Sequence, residues 1–526
     1  MPFFSKSLNA SIPEDNLTPT ATNHSLANCT DHNHNHDLTS VWVLAYNQLH
    51  YTRQCVESIL HYTKCPFELL LVDHGSTDDT FKYFNWVKSF HPNTRIIKYF
   101  QNRIIEETCN YVFSIARGKY LAVVTNDVIV HEGWLENFIK HIESSPDIAV
   151  VGPRSNNISG PQVQPAEYNS LEEYQTFATH WSREHRGESF PIERMVGMCT
   201  LTKKDIYKRI GGGDPDLPTN GRDGGYGFSD DDFSLRLRLG RYRSLVANDV
   251  FIHHYGSVTV KQYRPDLFGE PQNVNKEKYI KKVQSNSRIT IGTEGKMILN
   301  PYTLDEVIPV DERTIIRTPR ICFAETGKGD DLSNTPDVDI RYAGVAKNNN
   351  GRLIQSRGET IQTLILKILD DKQYDFLVLI DSHLAPSPES ISALAEFALS
   401  HPDVALMVPV GNYAPSTHAQ KLDSAEQVEL IPYADLSICA INLKIIRPLR
   451  SGLANCKNDD DFLWFLQRRV RGESYFIAKA NDILVNREKP PTHHPYDEKI
   501  LPEQLIKEKK YAEAMAIYSN DVILDP

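Results

Sequence analysis

The chain has 526 residues, more than one ordinary hydrophobic core accommodates, so two or more domains are expected. Its 57 Lys and Arg residues against 68 Asp and Glu give a net charge of −11, which argues against a nucleic-acid or anionic-membrane binder but allows a local basic groove. Eight scattered cysteines without a CxxC pair indicate reduced thiols rather than a disulfide framework or zinc cage. The start lacks a signal-peptide apolar region, and no apolar run approaches the roughly 18 residues of a membrane span, so we expect a cytoplasmic protein without a transmembrane segment.

Residues 1–38 are predicted to be a disordered polar tail. They are rich in Asn, Thr, Ser and His and poor in apolar residues, so burial cannot offset the entropy of ordering them. The run DHNHNHD in this tail has side chains that bind metal ions in other settings, although a solvated polar tail is the simpler interpretation.

Strands and helices are predicted to alternate from residue 40 onward. SVWVLAYN predicts a strand, YTRQCVESILHYT an amphipathic helix, and FELLLVD a second strand before the polar turn HGSTDDT opens another helix. This alternation predicts βαβ units and a mainly parallel sheet, which binds ligands at the carboxyl ends of its strands. The polar residues expected at such ends are Tyr46, Asn47, Asp73 and Asp127.

A further strand is predicted to end in a carboxylate. In YLAVVTNDVIV (120–130), two apolar runs flank Thr125, Asn126 and Asp127, and an amphipathic helix starts at Trp134. Placing a carboxylate beside a buried strand costs free energy unless the charge has a partner. A cap on the following turn is the structural alternative for Asp127, and Trp134 belongs either to the core or to the wall of an acceptor site.

The second half of the chain repeats the first. Residues 120–156 align without a gap to 376–412, at a constant offset of 256 from 120 to 376, and the apolar positions of the two segments agree. Further on, SDDDF at 229–233 matches NDDDF at 458–462, and a His-His pair follows in both halves. Because the matches keep the same order, duplication of one domain is the better explanation.

These motifs together resemble a family 2 glycosyltransferase with the GT-A fold. VLAYNQLHYTRQCVESI is similar to the family's first strand and helix, LLLVDHGSTDDT to its nucleotide-binding turn, and ARGKYLAVVTNDVIVHEGWLENF to its metal-binding strand. SDDDFSLRLRLGRYR and FIHHYGSVT resemble its acceptor-side acidic motif and late histidine. The resemblance implies an α/β chain of two tandem GT-A-like, Rossmann-like domains, the second degenerate. The expected order is a tail (1–38), a glycosyltransferase domain (39–295), a second GT-A-like domain (296–500) and a C-terminal helix (501–526).

The resemblance implies that residues at the strand ends bind a nucleotide-sugar donor. Asp73 would accept a hydrogen bond from an imide or amide N–H of the base, so a UDP-sugar is expected. The turn after Asp73 also has residues that cap a helix, and both roles are compatible. The donor-binding residues implied in this way are Ala45, Tyr46, Asn47, Asp73, Ser76 and Asn126.

A divalent metal ion, Mn²⁺ or Mg²⁺, is implied as the cofactor that stabilises the diphosphate leaving group. By resemblance, Asp127 and His254 are its ligands. The family often has two acids near Asp127, and this sequence has Thr125 at the first of those positions. A packed core histidine is the alternative for His254, and His253 is expected to face the other side of the strand.

Inverting transfer also needs a general base for the acceptor hydroxyl. In SDDDFSLR, Ser229 takes the place of the family's Glu, and Asp230 aligns with the carboxylate that the family uses as the base. By this resemblance Asp230 is the expected base, and Asp231 is the second candidate. Adjacent carboxylates repel one another, which raises the pKa of at least one. The glycines between Gly211 and Gly227 suggest a loop that closes over the donor and acceptor.

The second half has lost the nucleotide-binding motif. Asp381 and His383 fall on the metal positions and Asp459 on the base position, so an active second site remains an alternative to a structural domain that holds the acceptor or a protein partner. LPEQLIKEKKYAEAMAIYSND predicts an amphipathic C-terminal helix, a second possible partner surface.

The expected activity is hexosyl or N-acetylhexosaminyl transfer to a glycan or polypeptide. Rival interpretations are a bifunctional two-site enzyme, a non-catalytic nucleotide-sugar-binding scaffold, and a nucleotidyltransferase. The last should have a basic Gly-rich phosphate loop, and none follows Asn47.

Overall fold

The structure is a computed structural model that divides into two compact units, Met1–Arg317 and Thr318–Pro526. It describes residues 38–218, 227–263, 274–292, 296–303, 318–327, 351–357, 360–381, 386–411, 428–430, 438–457, 462, 465–467, 469–470 and 475–485. The predicted tail up to residue 37 and the predicted C-terminal helix lie outside these ranges. Among the described helices, none has the length and apolar character needed to cross a membrane.

Strands and helices alternate through the first half of the first unit, as the sequence predicts. Its strands are β1 (Thr39–Ala45), β2 (Phe67–His74), β3 (Thr94–Tyr99), β4 (Tyr120–Thr125), β5 (Val128–Ile129), β6 (Ile148–Ser155), β7 (Ser189–Ile192), β8 (Cys199–Lys203), β9 (Arg243–His254), β10 (Ile289–Ile291) and β11 (Met297–Leu299). Its helices are α1 (Leu49–Tyr62), α2 (Thr80–Phe90), α3 (Ile105–Ile115), α4 (Trp134–Glu143), α5 (Leu171–Glu184), α6 (Lys204–Arg209), α7 (Ser229–Leu239), α8 (Val258–Tyr263) and α9 (Val274–Ser285).

The main sheet of the first unit has the order β3-β2-β1-β4-β8-β6-β9-β5, and β7 pairs with β9. The ladders from β3 to β4 are parallel, which confirms the predicted βαβ units, and the mixed α/β class is confirmed as well. Strand β8 runs antiparallel to both neighbours, β4 and β6. Consequently the amino end of β8 reaches the same sheet edge as the carboxyl ends of β1, β2 and β4.

Helices cover both faces of the sheet, so β1 and β2 read as continuous apolar runs. Helix α4 packs with a strongly apolar stripe in which Leu135, Phe138 and Ile142 are fully buried. Trp134 is also fully buried, and its indole N–H donates to the Thr63 hydroxyl at 3.0 Å. Trp134 is therefore a core residue and not part of an acceptor wall.

The first unit extends past residue 295, where the sequence suggests a boundary. Strand β11 pairs with β10, and the N–H of Tyr302 donates to the carbonyl oxygen of Leu239 at 2.8 Å. The guanidinium Nε of Arg241 donates to the Tyr302 carbonyl oxygen at 2.9 Å. These contacts attach the segment up to residue 303 to the end of α7.

The second unit has its own sheet, in the order β13-β12-β14-β17-β15-β18-β16. Its strands are β12 (Ile321–Gly327), β13 (Gly351–Arg357), β14 (Phe376–Asp381), β15 (Val404–Gly411), β16 (Val428–Leu430), β17 (Ile438–Asn442) and β18 (Phe476–Val485). Its helices are α10 (Ile361–Asp370), α11 (Pro388–Ser400), α12 (Leu443–Ile446) and α13 (Arg450–Ala454). The core of this unit is formed by α10, α11 and the central strands, with Leu364, Leu394 and Leu406 almost fully buried.

Candidate active site

The loop after β1 and the turn after β2 are joined by hydrogen bonds. Asn47 and Gln48 have left-handed backbone conformations, with φ of 55° and 62°. The Asn47 N–H donates to the Ser76 hydroxyl at 2.8 Å, and the Asn47 side-chain oxygen accepts from the Thr77 N–H at 2.7 Å. Asn tolerates this conformation better than most residues because its short polar side chain bonds locally. The two predicted donor-binding segments therefore form one connected rim.

Asp73 lies fully buried at the end of β2. One carboxylate oxygen accepts from the Ser76 N–H at 2.8 Å, and the other is 2.5 Å from the Lys98 ammonium. Lys98 stands directly opposite Asp73 in the parallel β2–β3 ladder. Its role was missed in the sequence, although a lysine near the end of the neighbouring strand was the available signal. A carboxylate has about four acceptor sites, and these two contacts occupy two of them.

Asp127 and His254 meet where β4 and β9 end. The Asp127 carboxylate, 5% exposed, lies 3.3 Å from Nε2 of His254 and accepts a hydrogen bond from the Val258 N–H at 3.3 Å. Nδ1 of His254 lies 2.6 Å from the carbonyl oxygen of Asn157. Because a carbonyl oxygen only accepts, Nδ1 carries the hydrogen and the lone pair of a neutral imidazole is on Nε2, facing Asp127.

The charges of this pair stabilise each other. Burial alone would raise the pKa of Asp127, but the hydrogen bond and charge of His254 outweigh it and lower that pKa. Burial alone would lower the pKa of His254, and Asp127 reverses the shift and raises it. Each residue therefore favours the charged form of the other, and a bound cation would compete with a proton for the Nε2 lone pair.

Two protein ligands suit a divalent cation that shares its coordination with a diphosphate and water. Imidazole nitrogen and carboxylate oxygen both bind Mn²⁺. Within the part of the chain that the structure describes, no group of three or more His, Cys, Asp and Glu side chains is placed to hold a metal ion. The diphosphate of a bound donor, with water, would complete the coordination around these two ligands.

The other predicted donor-binding residues have structural contacts. The Asn126 amide donates to the Thr52 hydroxyl on α1 at 2.9 Å, which directs this side chain toward the helix. Ala45 is fully buried at the end of β1. The Tyr46 ring is half-buried and packs against Tyr263, with ring centroids 5.2 Å apart.

The three adjacent carboxylates of α7 have different surroundings. Asp231 forms an ion pair with Arg194 at 2.9 Å. Asp232 is buried between Arg236 and Lys282, at 2.8 and 2.5 Å. Among the described residues no ion pair involves Asp230, the predicted base.

The carboxyl group of Asp230 packs against Gly197, just before β8. A Cβ at Gly197 would lie 2.8 Å from its Oδ1, so a larger residue there would force the carboxyl group to shift. Burial raises the pKa of Asp230 to about 6, although the charge of Arg194 and a hydrogen bond from the Gly197 backbone oppose the shift. A carboxylate with such a pKa accepts a proton near neutral pH.

The segment Gly197–Met198 connects the base to the metal strand. The N–H of Thr125, two residues before Asp127, donates to the Met198 carbonyl oxygen at 2.8 Å. The sequence did not single out this segment, because Gly197 stands in the ordinary run RMVGMCT. The glycines Gly221, Gly224 and Gly225 lie outside the described residues, as do the side chain of Asp381 and all of His383 and Asp459.

The family described as Glycosyl transferase family 2 matches residues 40–211, which contain β1 to β8. Residues 40–211 of the first unit are thus a glycosyltransferase family 2 domain. Over 116 residues, 22% of its length, the chain is 30% identical to Glycosyltransferase GlyG of Streptococcus pneumoniae. Over 128 residues, 24% of this chain, it is 28% identical to a chondroitin synthase of Pasteurella multocida. The aligned segments span only 38% and 13% of those relatives.

Among solved structures, the chain is similar to GalNAc-T7, determined with UDP, GalNAc and Mn²⁺. The similarity extends over 47% of this chain and 48% of that one, with 14% identity and a TM-score of 0.36.

Proposed function

We propose that this chain is an inverting, metal-dependent glycosyltransferase that moves a sugar from a nucleotide-diphosphate sugar to a hydroxyl group of a glycan or polypeptide. The observation that carries the proposal is the contact between Asp127 and Nε2 of His254 at 3.3 Å, with the opposite imidazole nitrogen fixed on the Asn157 carbonyl. An oriented carboxylate–imidazole pair at a strand end is suited to hold a divalent cation beside an anionic leaving group.

Asp127 and His254 would hold Mn²⁺ or Mg²⁺ at this edge of the sheet. Such an ion neutralises the negative charge that develops on the departing diphosphate. The rim formed by Asn47, Ser76 and Thr77 would bind the nucleoside, and the buried Asp73 would accept from its base. An acceptor-only carboxylate fits the imide N–H of uracil, so we infer a UDP-sugar of the hexose or N-acetylhexosamine class.

Asp230 would act as the general base. Its carboxylate takes the proton of the acceptor hydroxyl while the hydroxyl oxygen attacks the anomeric carbon, and the bond to the diphosphate breaks on the opposite face. No ion pair with another described residue involves Asp230, which favours it over Asp231, whose carboxylate is held by Arg194. The second unit would position the acceptor or a protein partner, and the chain would act in the cytoplasm.

Nucleotide release from a panel of UDP-, GDP- and dTDP-sugars with Mn²⁺ tests this function. The wild-type chain should hydrolyse one donor slowly, and chelation of the metal should stop the release. Asp127→Asn should abolish it, and Asp230→Asn should lower it by about 10²-fold to 10⁴-fold. Glu172→Gln, at an exposed position on α5, serves as the matched control and should behave as wild type.

Three outcomes would contradict the proposal in whole or in part. Tight donor binding by the wild type without turnover, even with candidate acceptors, would indicate a nucleotide-sugar-binding scaffold. If Asp231→Asn lost all turnover while Asp230→Asn turned over normally, Asp231 would be the base instead of Asp230. Turnover that survives in Asp127→Asn would point to the bifunctional alternative, with a site in the second unit.

A further inference from the structure

A cavity of about 890 Å³ lies at the edge of the first sheet opposite to the donor edge. It is lined by Lys203, which pairs with Tyr120 where β4 begins and β8 ends. Strand β4 is six residues long, so at 3.3 Å per residue about 17 Å separate this end from Thr125. We call the cavity the basic pocket, because five cationic side chains line it: Arg117, Lys119, Lys203, Lys204 and Lys208.

Buried contacts fix the turn that carries Arg117 and Lys119. The fully buried carboxylate of Glu68 accepts from the Ser40 hydroxyl at 2.5 Å and from the backbone N–H of Arg117 at 2.6 Å. A Cβ at Gly118 would lie 2.5 Å from the Ser40 nitrogen, so only glycine fits there. The two cations therefore stand on an ordered turn rather than on a free loop.

Main-chain oxygens hold the other side of the basic pocket. The Lys203 ammonium donates to the carbonyl oxygens of Ser145 and Pro146, at 3.1 and 3.2 Å, and the Lys204 ammonium donates to the carbonyl oxygen of Ala116. These acceptors are neutral and leave the positive charges in place. Burial lowers the pKa of both ammonium groups, and the charge of Lys208 lowers the pKa of Lys204 further.

The acidic side chains that line the pocket do not balance its positive charge. They are Glu143, which lies 3.1 Å from the Lys119 ammonium, and the exposed Asp205. Five cations thus stand against these two carboxylates and the buried Glu68, 4.0 Å from Nε of Arg117, in a chain whose net charge is −11. Such a local excess of one sign in a concave site attracts a ligand of the opposite sign.

The second unit shows that the fold does not require these cations. Its Leu443 N–H donates to the Asp375 carbonyl oxygen at 2.8 Å, as the Lys204 N–H does to the Lys119 carbonyl oxygen at 3.1 Å. The Asn442 amide donates to the Pro402 carbonyl oxygen at 3.0 Å, a contact equivalent to that of the Lys203 ammonium with the Pro146 carbonyl oxygen. The residues at the five cationic positions are Gln373, Asp375, Asn442, Leu443 and Arg447, so only one is a cation.

We propose that the basic pocket binds an acidic oligosaccharide, whose carboxylate or sulfate groups pair with the five cations. The anionic character of the ligand follows from the pocket alone, whereas the choice of a glycan rests on the proposed function. A recessed site suits a flexible chain with spaced charges better than a flat anionic membrane. Of the lining side chains only Tyr242 is aromatic, so stacked nucleic-acid bases would lack a platform.

Titration calorimetry of the full chain with a heparin hexasaccharide, without donor or metal, tests the proposal. The wild type should bind the hexasaccharide, with an affinity that falls as salt is added, and should not bind neutral maltohexaose. Removing two cations in Lys119→Gln/Lys208→Gln should weaken binding about tenfold. The control Lys88→Gln/Lys140→Gln removes the same charge from exposed helix positions outside the pocket and should stay within about twofold of wild type.

Equal weakening by both double variants, or none by the pocket variant, would overturn the assignment. Arg117→Gln, at a side chain that is 62% exposed, gives a second test of the same pocket without altering the Lys119–Glu143 pair. Tighter binding of duplex DNA or of phosphatidylserine vesicles through these residues would contradict the glycan class. Donor hydrolysis by the pocket variant should equal that of wild type, so failure of this proposal is distinguishable from failure of the proposed transferase.

Discussion

In the first unit, β6 lies between antiparallel β8 and parallel β9, and in the second unit β15 lies between antiparallel β17 and parallel β18. Both parallel ladders change register at equivalent places, between Pro153 and Arg154 and between Pro409 and Val410. These positions differ by the same offset of 256 that aligns the sequences. Irregularities are rare in parallel pairs, so a shared one supports the proposed duplication more strongly than a shared strand order.

The two units differ where the strands end. In the first, Asp73 meets Lys98 on β3, and Asp127 meets His254 beside β5. Within its described residues, the second sheet has no strand in the places of β3 and β5. The ladders alone therefore maintain the scaffold, whereas the candidate chemistry depends on residues that follow the strands.

The largest expected effect tests whether the two cores are equivalent. Phe138 on α4 and Leu394 on α11 occupy matching, fully buried positions. Phe138→Ala should lower the free energy of unfolding of the first unit by about 3–5 kcal/mol, and Leu394→Ala that of the second by about 2–5 kcal/mol. Scanning calorimetry of the full chain should show a different transition shifting in each variant.

The exposed neighbours Lys140 and Glu396 provide controls for these core substitutions. Their replacement by Ala should leave both transitions within about 0.5 kcal/mol of wild type. A single transition that responds equally to both core variants would show that the two units unfold together. The two cores could then not be compared as independent units.

A smaller effect is expected from Gly197→Ala, which tests the position of the base. The added Cβ would press on the Asp230 carboxylate, so kcat should fall about 10²-fold while KM for the donor changes little. Steady-state kinetics with the preferred donor provide the measurement, and an unchanged kcat would remove Gly197 and Asp230 from the reaction.

The smallest expected effect is the change in the rate of donor hydrolysis with pH, which reports on the protonation of Asp230. A base works only when deprotonated, and burial raises the pKa of Asp230 to about 6. The rate of donor hydrolysis should therefore be level above that pH and fall about tenfold for each pH unit below it. In Asp230→Asn the residual rate should not show this decrease at low pH. A limb near pH 4 in the wild type would mean that Asp230 is solvated like an ordinary carboxylate.

Patterns along the sequence predicted what local periodicity determines. The apolar runs before Asp73 and Asp127 predicted β2 and β4, and the order of motifs linked Asp127 to His254, 127 residues away. Lys98, Asn157 and Gly197 escaped prediction because each acts through a contact with a distant residue. Neither the strand register that opposes Lys98 to Asp73 nor the space that Asp230 needs beside Gly197 can be inferred from the residue types alone.

The late position of β9 has a consequence for the synthesis of this chain. Strand β9 pairs with β6 and carries His254. During synthesis, Asp127 therefore has no imidazole partner until the chain has been made past residue 254. Closing such a long segment has an entropic cost before the contact forms, so this corner should be among the last parts of the unit to become ordered. Until then the edge of β6 is exposed on the nascent chain, where a chaperone would have most reason to bind.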